Sequence, residues 1–197
     1  MTLLLFVGQF DGNEFTAPAG KAGGSPIVVM PIETPHIRYA LAQEFMHAVQ
    51  IDVDHLRNGF DAPLAETVLT VGLAMRGAQR MLPGAPRSRY TWRSARWLAR
   101  CRRDRRAILR GMGPFLTASS SAVTTRFTYG RGTTGLRSEA YCAGWILVGR
   151  MLRDGWTFEE LATIPEGRMP RVIASEISRG AARSPPTSRS SAARTPR

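Results

Sequence analysis

Helix punctuation constrains this chain more than any other feature. After residue 33 the start and stop signals come at helix-length intervals. Thr34-Pro35 offers an N-cap and a first-turn proline for a helix over about 35–51. Asp61 and Pro63 open a second, which ends before Pro83-Gly84. A third over about 92–110 stops at Gly111. Ser138 opens a fourth that closes at Asp154-Gly155. Thr157 and Glu160 form a capping-box pair for a short helix before Pro165, and a last helix follows Pro170. Ahead of all these, residues 2–7 and 27–32 (IVVMPI) are aliphatic runs bounded by Gly and Pro, which predicts strands. The first run reads as a buried strand beginning almost at Met1. The expected class is α+β: a mostly helical domain over residues 1–178 with a small N-terminal β-sheet. Residues 179–197, rich in Arg, Ser and Pro, have almost nothing to bury and are expected to be disordered.

With 197 residues and 43% apolar content, one globular core is expected. No apolar run reaches the roughly 20 residues a membrane span requires. The opening has no basic segment and no small-residue cleavage site, so the chain as written is expected in the cytoplasm. A chain that enters its first strand at once also fits a start further upstream, in which case export is the expectation. Cys101 and Cys142 form no metal-type pair; two buried thiols are the simpler reading, with a disulfide left open. The net charge of +12 is concentrated, with ten arginines between Arg87 and Arg110 and five between Arg179 and Arg197. A solvated basic face is one reading. A binding module for nucleic acid or anionic surfaces is the other.

One short stretch carries a chemical pattern. A helix bearing His-Glu-x-x-His holds zinc with its two histidines and uses the glutamate as a base. Here the same positions read Gln43-Glu44-Phe45-Met46-His47. On a helical wheel Ile37, Leu41, Phe45, Ala48 and Val49 form an apolar stripe, with Gln43, Glu44 and His47 on the adjoining one.

Three longer stretches extend the likeness. "GQFDGNEFTAPAG…PIVVMPIE" precedes the motif, "LTVGLAMRGAQRMLPG" (69–84) follows it, and "RSEAYCAGWILVGRMLRDGWTFEELATIPE" comes later. In this order, over about residues 3–178, the chain resembles the bacterial predicted Zn-dependent proteases of the gluzincin type. The resemblance implies a zincin-like fold, a peptide or protein substrate, and a zinc-bound water activated by a glutamate. Carried over, Glu44 matches the general base and His47 the second histidine. The first-histidine position is Gln43, and the third-ligand position before Gly72-Leu73-Ala74 is Val71. Tyr141 takes the place of a hydrogen-bond donor to the oxyanion, near Arg137, or else packs in the core with Trp145 and Val148.

Catalytic zinc needs three nitrogen, sulfur or carboxylate donors and an open position for water. Gln43 offers only a neutral amide oxygen and Val71 offers nothing. Loss of outer-shell partners alone weakens metal binding ~10–100-fold, so strong zinc binding is not expected and activity should be impaired or lost. Glu66 is a weak substitute ligand: it lies about 140° around the helix from Val71 and is expected to point away from the first helix. Asp52, Asp54 and His55 could join His47 but lie past the expected helix end. Glu44 and His47 also make half of a di-iron motif whose second copy is missing. Gly130–Gly135 formally matches the dinucleotide fingerprint, but the strand that should follow reads instead as the capped helix "WTFEELATIP".

Overall fold

The computed structural model describes residues 1–8, 15–17, 25–54 and 61–182. It is an α+β structure, mostly helical. Three short strands, β1 (Thr2–Phe6), β2 (Phe15–Ala17) and β3 (Ile27–Pro31), form one mixed sheet in the order β1-β3-β2. β1 runs parallel to β3, with Thr2 opposite Ile27, and β2 runs antiparallel, with Phe15 opposite Val29. Eight helices follow: α1 (Ile37–Asp54), α2 (Leu64–Met81), α3 (Arg87–Thr91), α4 (Ala95–Met112), α5 (Ser121–Thr128), α6 (Glu139–Arg153), α7 (Phe158–Ala162) and α8 (Met169–Ala182). Among the described residues no helix is long and apolar enough to cross a membrane.

The punctuation placed most of these elements. The capping box is complete: Thr157 Oγ1 accepts from the Glu160 amide, and Glu160 accepts from the Thr157 amide at 2.7 Å. Several details differ from expectation. β1 is exposed at all five positions. An unbroken aliphatic run signals a strand but not what covers it, and α1 packs on β2 and β3 while β1 forms the sheet edge. Thr34 does not cap α1; its Oγ1 is buried without a hydrogen-bond partner among the described residues, and His36, at φ 58°, leads into the helix. Pro63 precedes α2 with no side-chain cap, so Asp61 does not serve there. The expected third helix is α4, opened by Ser94, whose Oγ accepts from the Trp97 amide; the short α3, not read from the sequence, precedes it and ends at left-handed Trp92. The Ser/Thr-rich passage contains α5, capped by Ser120. α8 runs to Ala182, past the expected start of the tail; residues 183–197 lie outside the described residues.

At the centre lies α2, buried on nearly every side. Its closest neighbour is α6. A Cβ at Gly72 would stand 2.5 Å from Val148 Cγ2 and 2.7 Å from the Gly144 carbonyl oxygen, and one at Gly144 would stand 2.5 Å from the Val68 carbonyl oxygen. The two backbones therefore touch at a glycine-on-glycine crossing. Around it Leu69, Leu73, Leu147, Met151, Ile108 and Phe127 build the larger core. A smaller cluster joins Tyr39 and Ala42 of α1, Val71, Met75 and Ala78 of α2, Tyr90 of α3 and Trp145 of α6.

The two cysteines are a disulfide rather than buried thiols. Cys101 and Cys142, with Cα atoms 5.7 Å apart, tie α4 to α6 across 41 residues of sequence. α4 needs this tie. It carries seven arginines against one aspartate, and pairs such as Arg102–Arg106 and Arg106–Arg110 repel at one-turn spacing. Asp104 offsets part of this, taking Arg103 at 2.8 Å and Arg100 at 3.4 Å.

Two stability experiments follow from this packing. Gly144→Ala forces backbone apart at the α2–α6 crossing and should cost about 2–3 kcal/mol by urea denaturation. An unchanged midpoint would show that the crossing relaxes freely. Replacing both cysteines by serine reopens a long loop in the unfolded chain and should cost about 4 kcal/mol. A loss below about 1 kcal/mol would mean the tie is energetically idle.

Candidate functional site

The α1 helix presents two buried faces. Tyr39, Ala42, Gln43, Met46 and Gln50 turn towards α2 and α3: the Gln50 amide reaches the Thr70 carbonyl at 3.5 Å, and Met46 seats over Gly77. Ala40, Glu44, Ala48 and Ile51 turn towards the sheet, where Thr16 Oγ1 of β2 donates to Glu44 Oε2 at 2.7 Å. The apolar stripe read from the sequence is therefore not the packing face, since Phe45 is 41% exposed and Ile37, Leu41 and Val49 are only half-buried. Alanines blur the wheel. They fit a buried face as readily as an exposed one, and glutamines paired to backbone can be buried with them.

Gln43 is buried. Its Nε2 donates to the Tyr90 carbonyl at 3.0 Å. Val71 belongs to the apolar cluster that contains the Tyr90 ring. The two positions that depart from the zinc pattern thus border the same cluster, Gln43 through the Tyr90 carbonyl and Val71 as a member. Tyr90 is 1% exposed and held at every edge. Its hydroxyl donates to the Leu82 carbonyl at 2.7 Å and accepts from the Ala85 amide at 2.9 Å. Its ring stacks on Trp145, centroids 6.5 Å apart, and meets Tyr39 edge-on at 5.7 Å. Tyr141, half-buried, borders this cluster with the Arg93 guanidinium 4.6 Å over its ring. Arg137 is engaged elsewhere, with its guanidinium on the Tyr129 carbonyl at 3.1–3.2 Å.

His47 falls between the two buried faces of α1. Burial holds its imidazole below the ordinary 6.5, with the Glu44 carboxylate acting in the opposite direction. Glu44 and His47, both half-buried, are thus electrostatic neighbours on α1. The surrounding donor set does not fit a catalytic zinc: one imidazole, one amide committed to a backbone carbonyl and one valine cannot supply three ligands. Among the described residues no three His, Cys, Asp or Glu side chains are grouped so as to hold a metal ion. Glu66 does not point away from α1 as expected. It is 1% exposed and shares a stripe of α2 with Thr70 and Gly77, the positions that meet α1. His55 and the Asp54 side chain lie outside the described residues.

The glycine loop has a different occupant from a pyrophosphate. Glu139, fully buried at the start of α6, accepts from the Thr133 and Thr134 amides, each at 2.8 Å, and from both threonine hydroxyls. A Cβ at Gly132 would overlap this carboxylate. Amides that would cradle phosphate in a nucleotide site already hold the protein's own anion. No strand follows, in keeping with the sequence reading, since Phe158–Ala162 is helical.

Three residues central to this region were not singled out from sequence: Tyr90, Glu139 and Arg76. Arg76 lies 3.5 Å over the Trp145 ring and donates to the Trp145 carbonyl at 2.6 and 3.1 Å. Burial, helped by Arg153 and Arg87, lowers its pKa to about 10. An arginine directly after the apolar run Val71–Met75 of α2 was the available signal.

The His47 environment predicts a pH dependence. The unfolded chain takes up this proton near pH ~6.5, whereas the folded chain resists it to lower pH. Below that value the unfolded state binds more protons, so stability should fall as pH drops from ~7 towards ~5. Urea midpoints across that range should show the decline, and His47→Gln should flatten it; an identical slope in the variant would place the titration elsewhere. Compared with protein-family models, with curated proteins and with solved structures, the chain matches none.

Proposed function

We propose that this chain is a zinc-metallopeptidase-like protein in which the hydrolytic site has become a packed structural seam. An intact relative would cut a peptide or protein substrate. This chain would keep the helices that frame such a site without a working metal centre. What supports the reading is the use made of the two altered positions. Gln43 hydrogen-bonds the Tyr90 carbonyl and Val71 packs in the cluster around the Tyr90 ring, so both are committed to the protein's interior. The Glu44 carboxylate, which would serve as base, instead accepts from Thr16. The Cys101–Cys142 bridge favours an oxidising compartment, which supports the exported alternative over the cytoplasmic one.

Metal analysis of the purified chain is the direct test. Substoichiometric zinc and no chelator-sensitive peptide hydrolysis are expected. Stoichiometric zinc with such hydrolysis would overturn the reading. The complementary change is Gln43→His with Val71→Glu, which restores the donor types. It should raise zinc affinity by at least about tenfold, at some cost in stability because Val71→Glu buries a carboxylate. A folded double variant with no gain in zinc affinity would count against placing the third ligand at residue 71.

A further inference from the structure

We propose that the cleft between α4 and α6 binds the phosphodiester backbone of single-stranded nucleic acid. This goes beyond the metallopeptidase reading and does not depend on it. The outer stripe of α4 supplies Arg102, Arg105, Arg106 and Arg110 to one wall, and α6 supplies Arg150 and Arg153 to the other. Arg76 forms part of the floor and Arg87 stands at one end. Two chambers of about 460 and 570 Å³ adjoin at Arg105, Ile146 and Arg153, and Ile177, Ser178 and Gly180 of α8 also line the second. No aspartate or glutamate lines either chamber.

The electrostatics of this channel are incomplete without a ligand. Among the described residues the ion pairs are Arg100 and Arg103 with Asp104, and Arg150 and Arg179 with Glu176. Arg76, Arg87, Arg102, Arg105 and Arg153 meet no carboxylate among those pairs. Guanidinium groups gathered along a partly enclosed cleft repel one another, and a bound polyanion relieves that repulsion while releasing its own counterions. Arg76, weakened as a base chiefly by burial and further by Arg153 and Arg87, lies beside this concentration of positive charge.

Shape narrows the ligand class. From Ala95 to Arg110 the wall runs about 22 Å at 1.5 Å per residue, enough for several successive phosphates. A single strand is flexible enough to fit its phosphates to a partly enclosed cleft, which a stiff duplex cannot do without deforming. The channel offers no open aromatic face. Trp145 is 6% exposed and already covered by Arg76, so recognition rests on phosphate charge rather than on base stacking.

The test is fluorescence anisotropy of labelled dodecathymidylate with the full chain, titrated from about 50 to 200 mM NaCl. Binding should weaken with salt, and an abasic strand of the same length should bind within a few-fold. The triple change Arg102→Gln, Arg105→Gln and Arg153→Gln alters only exposed side chains. It should weaken binding at least about tenfold and flatten the logarithmic salt slope by about 2. One control removes the same charge from arginines that line neither chamber: Arg89→Gln, Arg96→Gln and Arg171→Gln. It should stay within about threefold of the parent. No binding at the lowest salt would overturn the proposal. So would equal weakening by channel and control variants, strong preference for the base-bearing strand, or binding of inorganic polyphosphate alone.

Discussion

The contact on which the remaining structure depends is the crossing of α2 and α6 at Gly72 and Gly144. With no side chains between them, the two helices bring backbone to backbone, and Val68 and Val148 close over the junction. Because α2 is buried almost all round, every other helix takes its place relative to that pair. α1 lies on one flank through Met46 and Gln50, while α4 reaches α6 through its apolar stripe and the disulfide. The Gly-Leu-Ala stretch that invited comparison with zinc peptidases thus has a purely steric reason for its glycine. That reason needs no metal, and it would be the same in a chain that held one.

Tyr90 is the second organising residue. It comes from a five-residue helix in the arginine-rich region, which makes it a surprising core side chain. Its ring sits between two aromatic neighbours from α1 and α6, its hydroxyl closes the α2–α3 turn, and its carbonyl satisfies a buried glutamine. A polar side chain at position 43 is therefore not a remnant awaiting a ligand. It satisfies a carbonyl that would otherwise be buried unpaired.

Much of the fold was legible in the sequence, for a physical reason. Prolines, glycines and capping side chains act locally, so Thr157 with Glu160, Pro83-Gly84 and Asp154-Gly155 marked boundaries without knowledge of tertiary structure, although α4 runs through Gly111 to Met112. Errors arose where the outcome depended on distant neighbours. The exposure of β1 is decided by where α1 lies. The inward face of α1 is decided by Tyr90 and Gly77, neither of which appears in its own periodicity. Gln43 and Glu66 look like surface residues by type, and only their surroundings bury them. At the candidate site, the two helices that the sequence reading paired, α1 and α2, do pack together. Nothing in the sequence hinted at the tyrosine whose carbonyl Gln43 meets. The glycine loop misled in the opposite way, because a nucleotide-like pattern served an internal carboxylate, and only Glu139's burial distinguishes the two.

The Cys101–Cys142 bridge joins the very helices that wall the arginine channel, and Cys101 is itself part of the lining. A helix carrying so many like charges is held against its partner by one covalent bond and a narrow apolar strip. Both cysteines are buried, at 2% and 0% exposure, so a thiol reductant meets this bond only after the two walls have begun to part. The bond is shielded by the same packing that it reinforces.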